Sequence, residues 1–145
     1  DRIINLRAPG TPVLVDVDPR RIKRIIRNLI SNAVDHREDK NIDVQIAETE
    51  NEVSVGVRDY GIGFNYIDKK LLFERFWRAD SSRARSTGGT GLGLSIALED
   101  AKLHQGHLLA WGQKNNGAHF VLTLPKRHGT AVQTFPIDVI PGDLI

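Results

Sequence analysis

The chain contains no cysteine, which excludes disulfide bonds and thiolate metal sites and permits a reducing compartment. No run of apolar residues approaches the roughly 18 that a membrane-spanning helix needs, and the N-terminal residues do not form a signal peptide. The formal net charge is only +2, and the basic residues are spread along the chain, so the composition gives no indication of nucleic-acid binding. The first residue is not methionine, which predicts a fragment of a longer protein.

The residues that are present are typical of one globular domain. The chain has 145 residues, of which 40% are hydrophobic and 26% are charged, close to the averages of soluble proteins. A chain of this length buries about two thirds of the surface that it exposes when unfolded. We therefore expect one compact core.

The spacing of apolar residues predicts an alternation of strands and helices. Alternating patterns predict a strand at 13–17, a hairpin with its corner at 50–52, and a second hairpin formed by 107–113 and 118–125. Three- and four-residue spacing predicts a helix from Asp18 and Pro19 to about His36 and another from Leu92 to Leu103. The order indicates an α/β two-layer sandwich with helices on one sheet face. Residues 61–91 are irregular, as expected of a functional loop or lid, and the residues after Pro125 form a tail.

Three neutral polar residues form a stripe along the first predicted helix. Asn28, Asn32 and His36 are spaced four residues apart. They lie between a charged side, which includes Arg24 and Asp35, and the apolar arc that faces the core. The stripe is compatible with an ordinary solvated helix edge. Its alternative meaning is a metal site, because an Asn carbonyl is a hard oxygen ligand that suits Mg²⁺, and Mg²⁺ commonly accompanies phosphates.

The segment DYGIG, residues 59–63, follows a predicted strand directly. A carboxylate at a strand end can accept a hydrogen bond from a planar amine, while the glycines allow a ring to approach the backbone. The same residues also fit a plain turn. The pattern alone does not decide between the two interpretations.

The segment FERFWRADSSRARSTGG, residues 73–89, combines aromatic and basic residues. We expect its aromatics to be buried and to anchor the segment, while its arginines are suited to phosphate oxygens. An exposed basic loop with one hydrophobic anchor is the alternative. The segment leads into GGTGLGLS, residues 88–95, where unobstructed amide groups precede a helix, the arrangement that binds anions. Its spacing matches neither the Walker loop nor the Rossmann fingerprint.

In this order, NLISNAVDH, DYGIG, FERFWR and GGTGLGLS resemble the N box, first glycine box, F box and second glycine box of the sensor histidine kinase catalytic domain. The resemblance covers roughly residues 13–125, with 126–145 left as a C-terminal tail. The segment from Gly88 to Gly112 is most similar to an actinobacterial subgroup of these kinases.

The resemblance implies the Bergerat ATP-binding fold, with a mixed, mainly antiparallel sheet covered on one face by helices and an ATP lid at about 64–90. It implies that Asp59 binds the adenine amino group and that Asn32 coordinates Mg²⁺, supported by Asn28. The implied catalytic residues are Asn28, Asn32, Arg75 and Arg78, of which the two lid arginines would lie near the γ-phosphate. The implied ATP-binding residues are Asn32, His36, Asp59, Gly61, Gly63, Phe76, Gly89, Thr90, Gly91, Leu92, Gly93 and Leu94.

Two residues depart from the usual pattern of the family. Asp35 stands where a Lys or Arg is common, and His36 where an aromatic residue is common. An acid cannot hold phosphate, so we expect the lid arginines to carry more of that role.

The related Hsp90, gyrase B and MutL ATPases have a Glu general base four residues before the metal Asn. Here that residue is Asn28, which cannot accept a proton from water, so hydrolysis should be slow. The acceptor in sensor kinases is a histidine followed by an acid on a separate helical domain. None of the five histidines of this chain precedes Asp or Glu, so the acceptor domain is expected to lie elsewhere.

The resemblance thus implies a kinase module that transfers the γ-phosphoryl group of Mg-ATP to a histidine on the dimerisation domain of the same kinase, for relay to a response regulator. It would belong to the cytoplasmic portion of a membrane-anchored sensor, with no nucleic acid and no membrane contact of its own. Two alternatives stay open. One is a noncatalytic, nucleotide-responsive binding module, for which Asp35 is the hint. The other is an Hsp90- or MutL-like ATPase, against which Asn28 argues.

Overall fold

The computed structural model describes residues 3–65, 71–73 and 93–144. In chain order, the elements are β1 (Ile4–Arg7), α1 (Pro19–His36), β2 (Ile42–Glu48), β3 (Glu52–Asp59), a 3-10 turn (Leu71–Phe73), α2 (Gly93–Leu103), β4 (His107–Gln113), β5 (Gly117–Pro125) and a 3-10 turn (Gly142–Leu144). No helix within these described ranges is long and apolar enough to cross a membrane.

The strands form one five-stranded sheet in the order β1-β2-β3-β5-β4. β1 is parallel to β2, and every other pair is antiparallel. β2 and β3 form the first predicted hairpin, and β4 and β5 form the second. The two hairpins join through β3 and β5, where Asp59 lies opposite Ala118. β1, which is exposed throughout, was not predicted.

Both helices pack on the same face of the sheet. α1 begins where it was predicted, because Asp18 Oδ1 accepts a hydrogen bond from Arg20 N–H at 3.0 Å and a proline occupies its first turn. Its apolar stripe is buried against the sheet, and so is one side of α2. The buried residues of the two helices are Ile25, Leu29, Ala33, Ala97 and Ala101. The predicted two-layer α/β sandwich, with a mainly antiparallel sheet covered on one face by helices, is confirmed.

The two helices are also joined by charge. The Asp100 carboxylate of α2 is almost fully buried, and it accepts from Arg21 Nη1 at 2.8 Å and from Arg24 Nε at 2.9 Å. These hydrogen bonds hold the pKa of Asp100 below its usual value, with Arg24 as the main cause. These contacts between Asp100 of α2 and the two arginines of α1 fix how α2 lies against α1.

The strand predicted at 13–17 is wrong. These residues join no sheet within the described part of the chain; Asp16 N–H instead donates to the carbonyl of Lys126 at 2.8 Å. Val13, Val15 and Val17 pack against the core, whereas Leu14 is 83% exposed. The alternation therefore reflects the partial burial of every second side chain and not strand pairing.

The residues after β5 pack against the sheet. Ile137 and Pro141 are buried, and the segment lies on the face opposite the helices, where Ile137 approaches Gly56 of β3. We call this face the outer face of the sheet. The domain boundary placed at 125 and 126 stays a prediction.

Candidate functional site

Three elements meet where the described candidate residues lie: α1, the loop after β3 and the first turn of α2. Asn28 Nδ2 of α1 donates to the carbonyl of Gly93 at the start of α2, with an N–O distance of 3.1 Å. At the end of α1, the His36 carbonyl accepts from Ile62 N–H in the loop after β3, also at 3.1 Å. α1 is therefore bonded to both neighbours. Asn32 lies between these two attachment points.

Asp59 ends β3 and is only 1% exposed. Its Oδ1 accepts from Gly61 N–H at 3.0 Å. Burial raises the pKa of this carboxyl, against the opposing effects of the Gly61 hydrogen bond and the nearby His36 and Arg58. A buried carboxylate has lost the hydrogen bonds of water, and here the backbone amides of Gly61 and Ala118 replace some of them. A carboxylate can accept more than two hydrogen bonds, so Asp59 retains the capacity to accept one from an amino group of a ligand.

The glycines of DYGIG are required by the backbone of the protein itself. A Cβ on Gly61 would lie 1.5 Å from the carbonyl oxygen of His36, and one on Gly63 would lie 2.0 Å from that of Gln113. Gly63 also has a φ of +64°, which favours glycine. Asn115 N–H closes the contact by donating to the Ile62 carbonyl at 2.7 Å. The loop is wedged between the end of α1 and the turn that joins β4 to β5, which fixes the approach to Asp59.

Gly93 differs from these two glycines. A Cβ there would lie 3.6 Å from the side chain of Asn28, an ordinary van der Waals distance. The described protein atoms therefore do not require a glycine, although glycine is a poor residue for a helix. A group outside the described chain that approaches the helix start would explain it. Phosphate oxygens at a helix N-terminus are such a group.

The polar stripe of α1 is half-buried, as predicted for Asn28, Asn32 and His36. Asp35 was expected on the charged side of the helix, but its side chain is only 4% exposed, and its Oδ2 lies 3.9 Å from His36 Nε2. The acid is thus beneath the surface beside the stripe. The helical spacing had placed Asp35 on the solvated face of α1, and the burial of its side chain contradicts that placement.

A cavity with a volume of about 340 Å³ opens beside the end of α1. It is lined by Val34, Asp35, Arg37, Glu38 and Asp39. Three carboxylates against one guanidinium repel an anion, so this cavity does not suit a phosphate group. The anion-binding part of the site is instead expected at the start of α2.

Several predicted site residues lie outside the described residues: Arg75, Phe76, Arg78, Gly89, Thr90, Gly91 and Leu92. The predicted lid, 64–90, is described only at 64–65 and 71–73. Phe64 is buried and occupies the space that a Cβ on Gly112 would need. Phe73 is half-buried and packs edge-on against Phe120 with ring centroids 6.4 Å apart, whereas Phe76 and Trp77, the other aromatics predicted to anchor the segment, lie outside the described residues. Gly93 and Leu94 lie in the first turn of α2, where Leu94 packs against the core.

Asn28, predicted as a catalytic residue that supports the metal ligand, donates from its side chain to the backbone at the start of α2. Sequence reasoning missed one contributor to the site. Arg58, next to Asp59, donates from Nη1 to the carbonyl of Asp59 and to that of Asn116 in the turn between β4 and β5. The alternation of β3 could have indicated that Arg58 faces away from the helices. No sequence signal identified its partners.

Comparison with known proteins agrees with this geometry. Residues 17–128 match the family described as histidine kinase-, DNA gyrase B-, and HSP90-like ATPase. The chain is 51% identical over 138 residues to the sensor histidine kinase MtrB of Mycolicibacterium paratuberculosis. That match covers 95% of this chain and 24% of the MtrB protein, so it extends into the tail, and the chain spans about a quarter of that relative.

Two solved structures have the same fold. The catalytic domain of the histidine kinase ThkA has a TM-score of 0.70 at 26% identity, and the match covers 86% of this chain and 81% of that chain. The mycobacterial sensor histidine kinase MprB has a TM-score of 0.69 at 25% identity, with 86% and 83% covered. These matches confirm the resemblance to sensor histidine kinase catalytic domains with the Bergerat fold, and the MtrB match confirms the actinobacterial subgroup. The chain belongs to the family of histidine kinase-, DNA gyrase B- and HSP90-like ATPases.

Proposed function

We propose that this chain is the ATP-binding catalytic module of a two-component sensor histidine kinase, which acts in the cytoplasmic portion of a membrane-anchored protein. It would transfer the γ-phosphoryl group of Mg-ATP to a histidine on the dimerisation domain of the same kinase, from which a response regulator receives it. The observation that carries the proposal is the way α1 joins the buried Asp59 loop to the start of α2. One rigid helix thereby sets the distance between a base-binding carboxylate and a phosphate-binding helix end.

The residues present suit an adenine nucleotide. Asp59 offers a buried acceptor at one end of the site, and a glycine without a side chain begins α2 at the other. Asn32 lies between them on α1 and would supply a neutral oxygen ligand to Mg²⁺, which offsets phosphate charge when it is bound. His36 would border the base. Arg75 and Arg78 are proposed to contact the γ-phosphate, and residues 89–94 the phosphate chain.

Transfer is favoured over hydrolysis by the chemistry of Asn28. Its amide nitrogen donates to the Gly93 carbonyl, and an amide has no basic site for the proton of an attacking water. Phosphoryl transfer depends mostly on positioning and on charge stabilisation, so a domain can supply both without supplying the nucleophile. In the proposed step a nitrogen of the acceptor histidine forms the new P–N bond as the bond to the ADP oxygen breaks.

Two histidines of the chain already have structural partners. His104 Nε2 accepts from Asp18 N–H at 3.1 Å, and its Nδ1 lies 2.8 Å from the Asp100 carbonyl, which it meets as a donor. His119 is buried, with Nδ1 2.8 Å from the Val139 carbonyl. Neither imidazole is arranged as a phosphate acceptor. This supports an acceptor on another domain.

The test is to incubate the chain with γ-labelled ATP and Mg²⁺, with and without the helical dimerisation domain of its parent kinase. We expect the chain alone to take up no label. With the helical domain, label should appear on that partner as an acid-labile, base-stable phosphoramidate. The matched control is the same helical domain with its acceptor histidine replaced by alanine, which should stay unlabelled.

The other outcomes separate the alternatives. Rapid release of inorganic phosphate by the isolated chain would favour an Hsp90- or MutL-like ATPase. Nucleotide binding without transfer to the helical partner would favour a noncatalytic binding module. Either result would contradict the proposed kinase function.

A further inference from the structure

The outer face of the sheet carries polar side chains that are buried, although neither of the two described helices covers it. Ser54 and Thr123 are at most 1% exposed and their hydroxyl oxygens lie 2.7 Å apart. Glu52 and Arg58 of β3 and His119 of β5 are also buried. Buried polar groups require partners. Here several of those partners come from the C-terminal tail.

Residues 133–143, which we call the strap, attach to this face at points along its length. At one end, Glu52 accepts from Gln133 N–H at 3.1 Å and from the Thr134 hydroxyl at 2.5 Å. In the middle, Ile137 covers Gly56, at 3.5 Å from where a Cβ would lie. The strap is also buried at Pro141.

At the other end, the strap meets Arg58. Asp143 accepts from Nε and from Nη2 of Arg58, both at 3.1 Å, in a bidentate pair. The Arg58 side chain is 6% exposed, whereas that of Asp143 is 41% exposed. The guanidinium also lies over Tyr60, 4.3 Å from the ring centroid, and over Trp111 at 5.1 Å. Arg58 is therefore a nearly buried cation whose position depends on a carboxylate at the C-terminal end of the strap.

The third nitrogen of the same guanidinium bonds to backbone carbonyls of the segments that border the candidate nucleotide site. Arg58 Nη1 donates to the Asp59 carbonyl and to the Asn116 carbonyl, the latter at 2.8 Å. Asn116 belongs to the turn that holds the DYGIG loop, since the adjacent Asn115 N–H bonds to the Ile62 carbonyl. One side chain thus joins the strap to the backbone of Asp59 and to the turn beside it.

We propose that the strap is a positioning element of the nucleotide site, in which Asp143 fixes the Arg58 guanidinium and Arg58 fixes Asp59 and the turn between β4 and β5. This inference rests on the proposed role of Asp59 in binding adenine. Arg58 and Asp143 are positioning residues, because they act on the opposite face of the sheet from the ligand. The strap lies beyond residue 128, where the family match ends. It is thus an addition to the shared domain.

The test replaces one carboxylate at the exposed end of the strap. Asp143→Asn keeps the shape and removes the charge that pairs with Arg58. We expect the amide NMR signals of Gly61 and Asn115 to shift in the free protein. We also expect ADP, in the presence of Mg²⁺, to bind about five-fold more weakly or worse, the low end of typical coupling between two sites. Asp143→Glu, which retains the carboxylate, should recover most of the affinity.

Asp138→Asn is the matched control, because Asp138 is an exposed acid of the same strap whose Oδ1 accepts only a local hydrogen bond from Ile140 N–H in the described contacts. The substitution retains that acceptor oxygen, so both readouts should stay as in the wild type. Affinities are compared at a temperature at which circular dichroism shows all variants to be folded. A purely structural strap would change the melting temperature and leave the affinity of the folded protein unchanged.

The outcomes distinguish this proposal from the proposed function. Unchanged Gly61 and Asn115 signals in Asp143→Asn, or unchanged ADP affinity, would overturn the role of the strap while wild-type binding still supports the nucleotide site. Failure of the wild-type chain to bind ADP would overturn both.

Discussion

Replacing Gly61 by alanine tests the packing that forms the candidate site. The added Cβ would lie 1.5 Å from the His36 carbonyl oxygen and 2.9 Å from the Arg37 Cα, both backbone atoms. Side-chain Cβ atoms essentially never approach another atom within 3.0 Å, so the loop must move by at least the missing distance. That movement breaks the hydrogen bond from Ile62 N–H to the His36 carbonyl and disturbs the one from Gly61 N–H to Asp59.

The magnitude follows from these losses. Forcing extra carbon into a packed site costs about 1–3 kcal/mol, and each lost hydrogen bond costs about 1 kcal/mol more. We therefore expect Gly61→Ala to lower the free energy of unfolding by about 2–5 kcal/mol. For a domain of this size one kcal/mol corresponds to about 3 °C, so the melting temperature should fall by about 6–15 °C.

The assay is thermal unfolding followed by circular dichroism. Gly10→Ala is the control, because nothing lies within 4 Å of a Cβ at that glycine, and its melting temperature should stay near that of the wild type. If Gly61→Ala unfolds at the wild-type temperature, the contact between the DYGIG loop and the end of α1 is not as described.

Three further substitutions separate ligand binding from folding. Gly93→Ala should keep or slightly raise the melting temperature, since its Cβ meets only ordinary contacts, but should weaken ADP binding by obstructing the start of α2; unchanged affinity by calorimetry would argue against a phosphate site there. Asn32→Ala should abolish Mg²⁺-dependent nucleotide binding with little change in stability, and unaltered Mg-ATP affinity would refute the metal assignment. Asp100→Asn should lower the melting temperature at pH 7 and reduce its fall on acidification. The pKa of Asp100 is lowered in the folded state mainly by Arg24, so its stabilising effect is present above its ordinary pKa and is lost as the pH falls through the folded value. An unchanged difference between the melting temperatures at pH 7 and pH 3 would refute this role.

The parts of the fold that could be predicted are those with local signals. Asp18 and Pro19 mark the start of α1, and its apolar residues repeat with helical spacing over the whole helix. In both hairpins, apolar and polar residues alternate on either side of a polar turn, so the paired strands are close in sequence and can be recognised locally. The same applies to Asp59, whose place at a strand end follows from the end of the alternation.

The missed parts depend on contacts between distant residues. β1 consists of four exposed residues. Its parallel partner begins at Ile42, and all of α1 lies between the two strands in the sequence, so no local sequence pattern identifies β1. The segment at 13–17 has the alternation of a strand, because one side packs on the core, but it lacks a neighbouring strand. The attachments of the strap have no local signal, because its few apolar residues show no period and its partners are distant in sequence, as for Asp143 and Arg58, which are 85 residues apart.

The central claim is that Asp59 recognises adenine. The direct measurement is the affinity of the wild-type chain for ATP and for GTP, in the presence of Mg²⁺, by calorimetry. Guanine presents a carbonyl where adenine presents its amino group, so GTP would face the buried carboxylate with an acceptor. A lost hydrogen bond of this kind costs about 1–3 kcal/mol, which corresponds to roughly 5- to 150-fold weaker binding.

Asp59→Asn is the companion variant, because its amide can donate to the guanine carbonyl and should reduce or reverse the preference. We expect ATP to bind the wild type more tightly than GTP by at least the lower of these factors. Equal affinities of the wild type for ATP and GTP would contradict the account.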